Sequence, residues 1–183
     1  MSTSSDRRRS ARMRRKLAIA AVIAVSIALA IGCVEIESVR AQNAEEASPI
    51  YGVTIPDGYR KWEFIAPALE GDPLNELRAV MGNTVAMDAY RDSALPFPDG
   101  TVLVKLAWKR MQSAEFEPAS VPGAATTVQV MVKDSKKYAS SGGWGFDRFI
   151  NDKPADVAQH ETCFACHEAR VQGHDYVFTR YAP

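Results

Sequence analysis

Cys163, Cys166 and His167 stand in the order Cys-x-x-Cys-His near the end of a 183-residue chain. The chain has three cysteines and three histidines in all, and half of these six fall within five positions. Two thiols three residues apart on a helical turn can add to the two vinyl groups along one edge of a haem. The histidine that follows then lies beneath the ring with an imidazole nitrogen aimed at iron. This spacing predicts one covalently attached haem c per chain, with Cys163 and Cys166 holding the cofactor and His167 as the iron ligand. A structural zinc site would need a further ligand, for which His160 or His174 could be put forward, but a second Cys-x-x-Cys is missing. A thioredoxin-like pair would follow a strand in a βαβ unit, and none is visible. In an oxidising compartment an isolated close pair tends towards a strained disulfide unless something else consumes it, and haem does.

The position of the motif narrows the type of haem protein. Electron-carrying class I cytochromes c attach haem near the N-terminus of a small helical domain and bring a methionine to iron from downstream. Here 16 residues follow His167 and none is methionine. Met81, Met87, Met111 and Met131 lie upstream, where methionine more often fills core. His160 and His174 are close enough in sequence to cap the iron, although surface positions are the default for both. A sixth position left open would let iron bind a small substrate or gas.

The elements that must position the motif are mostly strands. Thr101 to Arg110 is rich in β-formers, with Val102, Val104, Leu106 and Trp108 on one face and Leu103, Lys105 and Ala107 on the other. Thr126 to Lys133 alternates likewise, with Val128, Val130 and Val132 opposed to Gln129 and Met131. Shorter strands are expected at Trp62–Ile65, Leu77–Met81, Gly143–Phe146 and Tyr176–Thr179. Helix is expected around Ala86–Tyr90 and over Ala155–Arg170, across the cysteines. The fold class is therefore α+β, a predominantly antiparallel sheet with short helices and a C-terminal haem-attachment helix. The Trp and Phe side chains, Phe178 among them, read as core filling. The four-helix cytochromes c-prime, which also attach haem near the C-terminus, do not fit so many strands.

Lys105 admits two readings. An edge-strand lysine facing water is common. Alternatively it points at the haem, where an apolar setting would depress its pKa and free the amine as a nucleophile.

Composition sets the surroundings. Residues 1–41 hold eight basic and three acidic side chains, whereas the remainder holds 14 basic and 19 acidic ones. A mildly acidic body with no basic stripe excludes nucleic acid as a partner. Residues 1–41 read as a secretory signal: a basic stretch, an apolar run from Leu17 to Gly32, then polar residues ending at Ala41. Export to the periplasm follows. A membrane anchor retained through residues 17–32 stays open, as does lipidation at Cys33. Residues 42–50 form a mature N-terminal stretch and 51–183 the haem domain.

Six pieces occur in order: Tyr59-Arg60-Lys61-Trp62, Leu77-Arg78-Ala79-Val80, Asp99-Gly100-Thr101-Val102-Leu103-Val104-Lys105, Val132-Lys133-Asp134-Ser135, the haem motif, and Val177-Phe178-Thr179-Arg180-Tyr181. Together they resemble the cytochrome P-460 family over residues 51–183. The resemblance implies a periplasmic homodimer with a β fold and one five-coordinate haem c. It also implies oxidation of hydroxylamine or a related small nitrogen species, with electrons passed to a cytochrome or other redox protein. In such enzymes a lysine is bonded to a haem meso carbon, and Lys105 matches it; Arg78 matches an arginine near the pocket. Gln129 departs from the family, standing near where a pocket carboxylate is expected. A carboxylate accepts protons, while an amide only hydrogen-bonds. Asp134 and Glu117 are other acids that could serve. The sister branch, the β-type cytochromes c-prime, binds nitric oxide or carbon monoxide without the cross-link. A simple electron carrier is the third possibility.

Overall fold

The structure is a computed structural model and describes residues 47–182. The leader assigned to residues 1–41 and most of the stretch at 42–50 lie outside the described residues. Among those described, no helix is long and apolar enough to cross a membrane.

Among the described residues six strands form one sheet, each pairing antiparallel with its predecessor: β1 (Glu63–Glu70), β2 (Glu76–Gly82), β3 (Val102–Gln112), β4 (Ser120–Lys133), β5 (Trp144–Ile150) and β6 (Lys153–Pro154). Helix α1 (Thr84–Arg91) links β2 to β3, and α2 (Val157–Val171) follows β6. Each helix starts on a side-chain cap that satisfies a backbone N–H the helix leaves unpaired. Asn83 Oδ1 accepts from Ala86 N at 3.0 Å, and Asp156 Oδ1 accepts from Gln159 N at 2.8 Å.

The alternation in β3 and β4 divides the interior as the sequence implies. Val104, Leu106, Val130 and Phe149 pack under the incoming segment of Val53, Tyr59 and Trp62. Leu103, Val80, Trp144 and Phe146 form the other core with Ile65, Met87 and Tyr90. Burying a side chain such as Phe149, 1% exposed, is worth about 1.5–3 kcal/mol. The two long strands run further than β-propensity suggests, forming a hairpin arm whose register shifts on both sides of Trp108.

The expected strand at Tyr176–Thr179 is not one. Asp175 and Tyr176 both have positive φ, 48° and 64°, and the chain beyond α2 lies as an irregular strap. Ala182 N donates to Ile65 O at 3.0 Å, and Tyr90 Oη donates to Thr179 O at 3.3 Å. The β-forming side chains are there for burial: Val177 is 1% exposed.

Candidate functional site

Lys105 lies on β3, an interior strand, so the edge reading fails. The register places Val80, Lys105, Gln129 and Arg148 in one rung across β2, β3, β4 and β5. Directly opposed residues share a face, so these four project together. A cavity of about 80 Å³, open to solvent at one side, lies over this rung. Its walls include Lys105, Gln129, Met131, Cys163 and His167, with Val177, Phe178 and Thr179 of the strap closing one side.

Helix α2 delivers the motif to that cavity. Cys163 and His167 are four residues apart and share a helix face. Cys166, three residues from Cys163, is exposed, and both thiols are free. Burial pushes the Cys163 thiol up. His167 Nδ1 donates to the Tyr176 carbonyl at 2.6 Å, leaving Nε2 as the basic nitrogen. Burial lowers the imidazole pKa, and the Lys105 charge lowers it further, against the opposing hydrogen bond, so the neutral ligand form is favoured. The ring lies between Phe146 and Phe178, at centroid distances of 4.8 and 4.9 Å. Phe178, 46% exposed, is thus a wall of the cavity and not core.

The Lys105 amine is held down to about 7, first by burial and then by the Arg78 and Arg148 charges. A neutral imidazole, two thiols at vinyl spacing and a wall more apolar than polar fit a haem. The family model for cytochrome P460 matches residues 56–179. The chain belongs to the cytochrome P460 family. It is a haem cytochrome of the P460 kind, and the haem brings iron. No curated protein matches the sequence.

With the P460 assignment in place, the remaining expectations sort by position. Gln129 faces the cavity, and its amide donates to Thr127 Oγ1 at 3.1 Å. Arg78 is outside the cavity lining. Its guanidinium is held by Glu76, with Nη2 at 2.7 Å from Oε2, and by Glu70, so it reaches Lys105 only through its field. Asp134 accepts from the backbone N–H groups of Lys136 and Lys137, and Glu117 is an exposed turn residue; neither lines the cavity. Arg180 latches the strap by donating to Val177 O and Phe178 O.

His160 is not a surface residue. It is fully buried, with Nδ1 donating to Asp156 O at 2.9 Å and Nε2 against Asp147 Oδ1. Asp147 is a cavity-wall residue that sequence reasoning missed. Its Oδ1 also accepts from Arg148 N at 2.6 Å, while Oδ2 is buried with no hydrogen-bond partner, and burial pushes its carboxyl up. Arg148 Nε is similarly orphaned. The signal was present in the sequence: Asp147-Arg148 is a charged pair between two phenylalanines in a β run.

Proposed function

We propose that this P460 protein carries one haem c, joined to Cys163 and Cys166 by addition of each S–H across a vinyl group and ligated by His167, and that it oxidises hydroxylamine or a related small nitrogen species. The supporting observation is the meeting of Lys105 with Cys163 and His167 on one cavity, with the amine held down to about 7. About half of such an amine is unprotonated at neutral pH and able to bond a carbon of the ring. That bond replaces one C–H and one N–H by C–N, and the two protons and two electrons released reduce a peroxide-class oxidant to water. Bound iron supplies the one-electron steps that side chains lack.

Around it the chain orients and deprotonates. Converting hydroxylamine to nitric oxide releases three protons and three electrons, the electrons leaving to a one-electron redox protein. Asp147, a residue of the cavity wall whose Oδ1 meets His160 and Arg148 N, is the proton acceptor we assign, with His160 behind it to share the charge. Gln129 hydrogen-bonds the substrate without taking a proton. Export to the periplasm and assembly as a homodimer complete the reading.

One observation favours a second reading. Val80, Leu103, Val130 and Val177 make much of the wall apolar, and Gln129 is neutral, which suits nitric oxide or carbon monoxide held at iron without oxidation. Protein matured in a host that attaches haem c separates the two after digestion and mass measurement of the haem peptides. A haem carrying the Lys105 peptide as well as Cys163 and Cys166 supports the oxidase. A haem carrying the cysteine peptide alone, with tight ferrous gas binding, supports the gas carrier.

A further inference from the structure

Lys133, at the end of β4, shares the face of Gln129 and Met131 but lies beyond the cavity lining, and it is buried where Lys105 is half-buried. Its Nζ donates to Asp175 Oδ1 at 2.8 Å, to Asp175 Oδ2 at 2.9 Å and to Gly142 O at 3.1 Å, and lies 5.0 Å from the centre of the Trp144 ring. Asp175 Oδ2 accepts in addition from Phe97 N at 2.8 Å. Asp175 and Tyr176 are consecutive non-glycine residues with left-handed backbone, which persists only where the surroundings over-determine it. Their surroundings do so from three sides. The ion pair fixes the Asp175 side chain, and Tyr176 N donates to Val171 O at 2.9 Å. Gly142, itself at φ 67°, gives the Tyr176 ring room: a Cβ there would lie 2.3 Å from it. The product of this bracing is a carbonyl aimed at His167 Nδ1.

We propose that the Lys133–Asp175 pair is the positioning device for the iron ligand: by fixing the Asp175-Tyr176 turn it holds the Tyr176 carbonyl on His167 and sets how strongly that imidazole donates to iron. A strong acceptor on Nδ1 gives the ring imidazolate character, which favours ferric over ferrous iron. Loosening the turn removes part of that donation. The inference rests on His167 being the ligand, and is independent of which small molecule iron then binds.

The test uses the haem-loaded protein, reading its one-electron reduction potential and the ferrous iron–imidazole stretching frequency. Lys133→Met and Asp175→Ala should each raise the potential by about 59 mV, a tenfold shift towards ferrous iron, and lower the stretch. The double variant should shift no further than the larger single one. Gly142→Ala leaves the ion pair intact but crowds Tyr176, and should move both readings in the same direction even if a charge variant fails to fold. Tyr90→Phe, which cuts a strap contact beyond the turn, should change neither. Folded variants with wild-type potential and stretch would overturn the proposal. An iron without an imidazole stretch in the unmutated protein would instead overturn the ligand assignment.

Discussion

Two lysines on neighbouring strands, Lys133 buried and Lys105 half-buried, meet opposite company. Lys133 has three N–H groups and three acceptors, two of them on one carboxylate. Lys105 sits in a rung with Gln129 and Arg148, and the charges of Arg78 and Arg148 act on it beyond the cost of burial itself. Glu76, which would offset them, is engaged by Arg78. A buried cation given a full set of acceptors is architecture. One given cations for neighbours is driven to give up its proton, which is the condition a nucleophile needs.

Exchanging each lysine for methionine should therefore split the pair. Lys105→Met is expected to remove the proposed bond between haem and sheet and to reduce the proposed hydroxylamine oxidation by at least about 100-fold. Urea unfolding should find it no less stable, since no paired charge is lost. Lys133→Met strands the Asp175 carboxylate in the interior and should cost about 3–5 kcal/mol in the same unfolding experiment. A smaller effect is expected at Asp147. Replacing it by Asn keeps the shape but not the basic oxygen, and steady-state oxidation should fall by about tenfold or more with haem uptake unchanged.

The least effect, and the most diagnostic of the contrast, is in pH. In protein free of any Lys105–haem bond, the native amine titrates near 7 and the unfolded one near 10.5. Between those values the unfolded chain binds the extra proton, so stability should rise with pH across that window and lose the contribution below it. Lys105→Met should flatten that rise. Gln129→Glu, which places a carboxylate opposite the amine, should move the rise to higher pH.

Much of this was legible in the residues themselves, for reasons that are local. The haem motif is read within five positions, and the alternation in Thr101–Arg110 assigns Leu103 and Val104 to opposite cores, where they are found. Whether Lys105 faced water was not legible, because that depends on β3 having a neighbour on each side, a fact of pairing and not of composition. His160 and Asp147 come from a helix and a strand, and their contact exists only once α2 docks on β5. Arg78 shares the sheet face of the Lys105 rung, near the cavity as the resemblance suggested, but pairing alone could not tell that Glu70 and Glu76 hold its guanidinium back from the lining. The strap was misread because Val and Phe suit strands, while the two left-handed residues before them break one.

The strands are arranged in sequence order, each beside the one before it. A meander of this kind needs no later segment to complete an earlier pairing, so the sheet can assemble while the residues after β6 are still loose. Those residues include Cys163, Cys166 and His167. If haem is joined to this segment as proposed, its attachment site follows the sheet in sequence. The receiving wall can already be standing when the loaded segment swings in and the strap locks behind it.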